Sequence, residues 1–343
     1  MPVTQRIITF GEILMRLSTV NSARWTQSRM FQLDYGGPSS NVAANLALWN
    51  HEVRYVTKLP PNDFGDSAIN YLRGFGIDLD YIARGGSRMG VYFVEPGVAL
   101  RRGRRIYDRA HSSLSEATAD DFDFDEILRN GALLFWSGMT AGISQQASEL
   151  IKTACEIAKQ YGLTVVCDLN YRKQQWSPRE AQRVIRPLMQ NVDICIGSRD
   201  DIENCLGYVI EPNEQTGELD AKSYETAFHR IQQEFGFKYI ATTLRKEYSV
   251  SHIDSKAILY DGKDLLESQN YDINPILDRV AVGDAFTSGL IHGLLTQVST
   301  QRALEWAIAA SAYKYTISGV IDRVSVSEVE TLIAEHNANM ILH

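Results

Sequence analysis

Short apolar runs alternate with longer amphipathic ones along most of the chain. This rhythm predicts strand and helix taken in turn around a mainly parallel sheet. The strand candidates are IITFG (7–11), VRYVTK (53–58), ALLFWSG (132–138), LTVVCDLN (163–170), DICIGS (193–198) and KYIATTL (238–244). Between them PSSNVAANLALWN (38–50), SQQASELIKTACEIAKQYG (144–162), SPREAQRVIRPLMQ (177–190) and KSYETAFHRIQQEFG (222–236) read as helices. Several of these open on a Ser, Asp or Ser-Pro cap and close at Gly, as helix boundaries do.

One region breaks the rhythm. RGGSRMGVYFVEPGVALRRGRRIYDRAH (84–111) alternates at a period of two and is interrupted by PG and RGR, which predicts a β-hairpin and not another crossover unit. Together with the segment after the first strand it can form a small separate sheet, expected over about 12–36 and 88–112 within a single 1–343 domain. GYVIEPNEQTGELD (207–220) reads as a surface loop, and the chain shows no internal repeat, low-complexity tract or linker.

Composition narrows the class. The 343 residues are 44% hydrophobic and 22% charged, a soluble globular balance with room for a sizeable core. A formal net charge of −8 argues against a nucleic-acid partner held by general attraction, while leaving room for a local basic site for a small anion. Cys155, Cys167, Cys195 and Cys205 show no CxxC spacing, so neither a zinc ribbon nor a redox pair is indicated, and they read as reduced, cytosolic thiols. Glu12 interrupts the first apolar stretch before it can serve as a signal core, and no segment reaches the roughly 20 apolar residues that span a bilayer. The expected location is cytoplasmic, without a membrane partner.

Candidate chemistry gathers in four stretches. In DRVAVGDAFTSGL (278–290), Asp284 follows Gly283 and is expected at the first residue of a helix packed closely through Ala285, Gly289 and Gly293. Free backbone N–H groups there can hold a phosphate while the carboxylate accepts a proton, although a helix-capping aspartate is the other reading. In YGGPSSNVAANLALWN (35–50), Gly36 and Gly37 allow close approach of a ligand to the backbone, and Asn41 and Asn45 share a helix face; a glycine turn before a capped helix is the plain alternative.

VVCDLNYR (165–172) ends a strand in Asp168, Asn170 and Arg172, where open α/β sheets meet their ligands. Arg172 can hold a carboxylate in bidentate fashion, or form a surface ion pair. In the hairpin, Tyr92, Tyr107 and Arg109 are candidates, the last two placed on one face by the period-two pattern, whereas Arg101, Arg102, Arg104 and Arg105 read as a solvated tip. Walker, dinucleotide and HExxH motifs are absent, so an oxidoreductase built on such a sheet lacks its fingerprint.

These pieces occur together and in this order in one family. The chain resembles the ribokinase-like (PfkB) carbohydrate kinases over nearly its whole length, and among them the 2-keto-3-deoxygluconate kinase branch. GGPSSNVAANLA is similar to the first family signature and DRVAVGDAFTSGL to the second, with Arg279 and Val280 where most of the wider family has Thr-Thr; GVYFVE, IYDRAHS and CDLNYRKQQWSP also match that branch.

The resemblance implies a three-layer α/β/α fold with a small β-sheet lid that commonly mediates dimer contacts, and an enzyme that phosphorylates a sugar acid with ATP and Mg²⁺. A monovalent cation is a further candidate. By the same resemblance Asp284 is the base, and Ala281, Val282 and Gly283 form the anion hole. Gly36, Gly37, Asn41, Tyr92, Tyr107, Arg109, Asp168 and Arg172 line the sugar-acid site. Ser198, Thr243, Arg245 and Gly283 meet ATP, with Asp201 near the metal through water.

Two departures stand out. The turn Ala281-Val282-Gly283-Asp284 replaces the usual Gly-Ala-Gly-Asp or Gly-Gly-Gly-Asp, and alanine at a positive φ would be strained by roughly 1–2 kcal/mol. Ser198 and Asp201 stand where the family has Asn-x-x-Glu, with Arg199 between them where the branch often carries an acid. A kinase for another sugar such as fructose, or a sugar-binding homologue impaired in catalysis, are the competing readings.

Overall fold

The computed structural model describes residues 6–98, 100–212, 221–297 and 299–341. All six expected strands are present, as Arg6–Phe10, Val53–Leu59, Gly131–Ser137, Thr164–Asp168, Ile194–Ile196 and Tyr239–Ser249. They pair in parallel in the order Tyr239, Ile194, Thr164, Gly131, Arg6, Val53, and the short strand Ile82–Arg84 comes next. At the other edge the alternation stops. His252–Tyr260, Leu265–Glu267 and Tyr271–Ile273 extend the sheet in antiparallel fashion, which the strand-then-helix rhythm did not foretell.

The four expected helices form as Pro38–Leu48, Gln145–Gln160, Pro178–Leu188 and Ala221–Phe235. Ser144 caps the second by accepting from Ala147 N–H, and Ser177 caps the third in a capping box with Glu180. Helices cover both faces of the sheet, giving two apolar layers: Val42, Phe286 and Trp306 belong to one, Leu150, Ile185 and Phe228 to the other. This is the ribokinase-like α/β architecture.

The helix Val282–Thr296 and its neighbour Thr300–Lys314 pack closely, and the small residues explain why. A Cβ on Gly289 would lie 2.8 Å from Ala307 Cα, and one on Gly293 would lie 2.6 Å from Ala303 Cα. Larger side chains at either place would force the helices apart.

The two separated segments expected to make a small sheet do so, as Phe31–Gly36, Leu14–Thr19, Val91–Glu95 and Arg104–Asp108 in that order. Register divides this sheet by face. Asp34, Arg16, Tyr92 and Tyr107 form one cross-strand row, and Leu33, Leu17, Phe93 and Ile106 the next. Because alternate residues point to opposite faces, the first row looks inward and the second outward. Of the loop expected over 207–220, residues 207–212 have no regular structure and 213–220 lie outside the described residues. No helix among the described residues is long and apolar enough to cross a membrane.

Candidate active site

Parallel strands end together, so the residues at their carboxyl ends share one edge of the sheet. Asp168 closes the strand Thr164–Asp168, Gly197 and Ser198 come directly after Ile194–Ile196, and Thr243 and Arg245 belong to Tyr239–Ser249. The inward face of the small sheet covers this edge. Between them lies a cavity of about 600 Å³, large enough for a small polar ligand and a nucleotide side by side.

Asp284 stands at its floor. The helix begins at Val282, so Asp284 is its third residue and not its first as expected; the first intrahelical bond runs from Ala285 N–H to Ala281 O at 2.9 Å. No side chain caps the turn, which leaves the amides of Val282, Gly283 and Asp284 ahead of the intrahelical ladder. A Cβ on Gly283 would meet nothing within 4 Å, so this stretch of backbone is open to a ligand. Ala281 holds φ 60° and ψ 17°, the left-handed conformation that costs an alanine roughly 1–2 kcal/mol. The strain is retained at the point where the N–H groups are aimed.

The Asp284 side chain is 7% exposed, and Asn41 Nδ2 donates to its Oδ2 at 2.6 Å. Oδ1 makes no hydrogen bond among the described residues. Burial raises the carboxyl pKa above the usual aspartate range; the Asn41 bond and the charges of Arg172, Lys314 and Arg105 pull it back. One turn further along the same face, Asn45 Nδ2 donates to Ser288 Oγ at 3.2 Å, and Ser288 Oγ donates to Asp284 O at 2.6 Å. The two asparagines, expected on one helix face, thus tie the helix Pro38–Leu48 to the helix that carries Asp284.

Gly36 and Gly37 line the cavity, but their reason for being glycine lies behind it. A Cβ on Gly37 would fall 2.1 Å from the Glu12 carbonyl oxygen, and one on Gly36 would fall 2.9 Å from Val320 Cγ2. The bare backbone therefore admits neighbouring chain, and Gly37 N–H donates to Asn41 Oδ1 at 3.3 Å to steady the side chain that holds Asp284.

Asp168 is 6% exposed, and its carboxyl is pushed well above the ordinary range by burial, then by the charges of Asp201 and Asp284, with Arg172 opposing. Ser198 caps the helix Arg199–Leu206 in a box with Asp201: Asp201 Oδ2 accepts from Ser198 N–H at 2.8 Å and from Ser198 Oγ at 2.6 Å, and Oδ1 accepts from Tyr171 N–H at 2.7 Å. Thr243 and Arg245 also line the cavity, with Arg245 Nη2 donating to Thr243 Oγ1 at 3.2 Å. No group of three or more His, Cys, Asp or Glu among the described residues could hold a metal by itself.

From above, Tyr92 and Tyr107 stack with ring centroids 5.8 Å apart and planes inclined by 23°. Arg172 reaches the same space, its Nη1 donating to the neighbouring Tyr171 carbonyl at 2.8 Å. Arg109, expected to meet a ligand carboxylate, does not line the cavity. Its strand ends at Asp108, and its guanidinium is taken up by Glu12, with Nε 2.7 Å and Nη2 2.6 Å from Oε2. Arg105 corrects the reading of a solvated tip. It lies two residues before Tyr107, lines the cavity and has no hydrogen-bond or ion-pair partner among the described residues. The period-two pattern that pointed to Tyr107 could have found it.

Sequence and structure comparisons identify the family and the fold. Residues 4–326 match the pfkB family carbohydrate kinase, and the chain belongs to that family. A 2-dehydro-3-deoxygalactonokinase from Haloferax volcanii is 27% identical over 338 residues, covering 98% of this chain and 99% of the relative. The solved 2-dehydro-3-deoxygluconokinase from Thermotoga maritima is 38% identical with a TM-score of 0.92, covering 96% of this chain and 99% of that one. A putative ribokinase II from E. coli, solved with ATP and Mg²⁺, shares the fold at 20% identity and a TM-score of 0.80, covering 97% of this chain and 100% of that one. The protein is a carbohydrate kinase.

Proposed function

We propose that the protein phosphorylates 2-keto-3-deoxygluconate with ATP, giving the 6-phosphate. The observation that carries this reading is the pairing of Asp284, on an uncapped helix entry, with two of the guanidiniums that line the same cavity, Arg105 and Arg172. A neutral sugar such as fructose offers two arginines no carboxylate to bind; a sugar acid does. Tyr92 and Tyr107 give the sugar an apolar wall, and Gly36, Gly37, Asn41 and Asp168 supply its polar floor.

In the reaction the C6 hydroxyl oxygen attacks the γ-phosphorus in line, the bond from phosphorus to the β–γ bridging oxygen breaks, and ADP departs with that electron pair. The hydroxyl proton passes to Asp284 Oδ1, the oxygen that Asn41 leaves free. The amides of Val282, Gly283 and Asp284 hold the migrating phosphoryl oxygens, helped by the positive end of the helix. Burial makes Asp284 a somewhat stronger base than a free aspartate, which suits proton transfer late in a loose transition state.

Ser198, Thr243, Arg245 and Gly283 are assigned to the nucleotide. Asp201, its oxygens already accepting from three donors, would meet Mg²⁺ through water, and the ion bound with ATP would neutralise charge on the phosphates. No place is assigned to a monovalent cation. Outward, Leu33 and Ile106 are 43% and 50% exposed in an apolar row across the small sheet, and this face is assigned to pairing of two copies. Light scattering of the double variant Leu33→Glu, Ile106→Glu should show monomers where the parent chain forms dimers; an unchanged dimer removes that assignment.

ADP release measured on a panel of sugar acids, including the C4 epimer, and neutral hexoses tests the function. Turnover with 2-keto-3-deoxygluconate and little with fructose is expected. Equal rates on acid and neutral sugars would remove the carboxylate argument.

A further inference from the structure

Lys314 is the last residue of the helix Thr300–Lys314 and is 0% exposed, a rare fate for a lysine. Its Nζ donates to the Ile317 carbonyl at 2.7 Å. No carboxylate touches it, yet several surround it. Burial lowers its pKa, the charges of Asp278, Asp322 and Asp284 support its protonated form, and Arg16 opposes it.

What encloses this ammonium is the support of the anion-binding turn. Leu277 N–H and Asp278 N–H both donate to the Tyr315 carbonyl, at 2.8 and 3.2 Å. Asp278 accepts from Val280 N–H at 3.0 Å through Oδ1, and from Gly319 N–H at 3.1 Å through Oδ2. Ser311 Oγ, on the same helix as Lys314, donates to the Val282 carbonyl at 3.2 Å. Asp322 is 0% exposed, neither of its carboxylate oxygens has a hydrogen-bond partner among the described residues, and its backbone N–H donates to Asn45 Oδ1 at 3.0 Å. The segment 277–282 is thus clamped to the segment 311–322, and a buried positive charge faces acids from both. From the small sheet Arg16 Nη2 approaches Asp278 Oδ2 at 3.6 Å, closing the arrangement over the top.

Removing one charge from a buried arrangement of this kind leaves the others uncompensated, which is costly. Burial pushes the Asp322 carboxyl up to about 8 and the charge of Lys314 pulls it back, so the chain itself supplies, covalently, the cation that favours the ionised acid. We propose that Lys314 is a positioning residue for phosphoryl transfer, a built-in cation that ties the loop ahead of Asp284 to the segment after its own helix, so that turnover needs no monovalent ion bound there. The inference rests on the kinase reading of the cavity and on Asp284 as proton acceptor. Its consequence for the base is electrostatic. Asp284 also faces Arg172, Arg105 and the carboxyl of Asp168, and Lys314 is the one cation among these that solvent and ligand cannot reach.

The test uses the parent enzyme first. Assayed with tetramethylammonium as the sole monovalent cation and then with saturating potassium or sodium, its kcat should agree within about twofold; activation of about tenfold or more by either ion overturns the proposal. In Lys314→Met, kcat should fall about tenfold or more while KM for the sugar acid stays within about threefold. The acid limb of kcat/KM should move to higher pH, because Asp284 has lost a charge that favours its ionised form. A fall in kcat with the acid limb unmoved means a packing role only and overturns the proposal, as does an unchanged kcat. If that variant does not fold, the ion comparison on the parent enzyme decides. Failure of the base assignment is separate: turnover retained by Asp284→Asn sinks that assignment without making the parent enzyme depend on potassium.

Discussion

The floor of the cavity, carried by the helix Val282–Thr296, and its roof, carried by the strands Val91–Glu95 and Arg104–Asp108, hold their polar side chains in opposite ways. On the floor the reacting acid and its supports are fixed. Asp284 is held by Asn41, its carbonyl by Ser288, Ser288 by Asn45, and the preceding loop by Tyr315 and Gly319. On the roof Tyr92 and Tyr107 are fixed by stacking, while Arg105 extends from an exposed strand with no partner among the described residues. Preorganised donors and a placed base serve a transition state, because they need no rearrangement as charge develops. An unpaired arginine on a small covering sheet serves recognition, because its charge is compensated only when an anion arrives.

This contrast assigns different kinetic consequences to the two sides. The largest belongs to Asp284→Asn, which should lower kcat by about 10²- to 10⁴-fold, with thermal stability retained since a buried charge is removed and the Asn41 contact has room to remain. Steady-state assays beside a melting curve read both effects. Arg172→Met should raise KM for the sugar acid by about tenfold to a hundredfold, the worth of a charge-assisted hydrogen bond, with rates on neutral sugars unaltered. Arg105→Met should act in the same direction and more weakly, because its side chain is more exposed. A loss carried in kcat by the Arg105 variant would blur the division between floor and roof. The smallest effect is expected from Ala281→Gly, where relief of the left-handed alanine should stabilise the fold by about 1 kcal/mol, seen as a slight rise in Tm, with kcat within about twofold of the parent.

The same contrast explains what the sequence disclosed. The floor was legible because its requirements are local: a glycine before an acid, small residues at helical spacing where two helices touch, and two asparagines four apart. The strained Ala281 came from one comparison of residue type with required φ. The roof depends on where a strand stops. Alternation places Arg105 beside Tyr107 and ends at Asp108, so Arg109 turned back to Glu12 instead of facing the ligand. Glu12 lies 97 residues away in sequence, and no local pattern announces it. The antiparallel strands beyond Tyr239–Ser249 were hidden for a related reason, since hairpin pairing at a sheet edge leaves no crossover helix to mark it. Lys314 carried a weak signal, a single charge in the run AIAASAYKYTISG, whose neighbours belong to a buried helix.

A crystal structure with 2-keto-3-deoxygluconate, Mg²⁺, ADP and aluminium fluoride tests the central claim most directly. The account predicts the fluoride complex seated on the amides of Gly283 and Asp284, with Asp284 Oδ1 within about 3 Å of the C6 hydroxyl oxygen. It is contradicted if that hydroxyl is held by another acid such as Asp168, with Asp284 turned from it and the amides of the turn facing protein carbonyls.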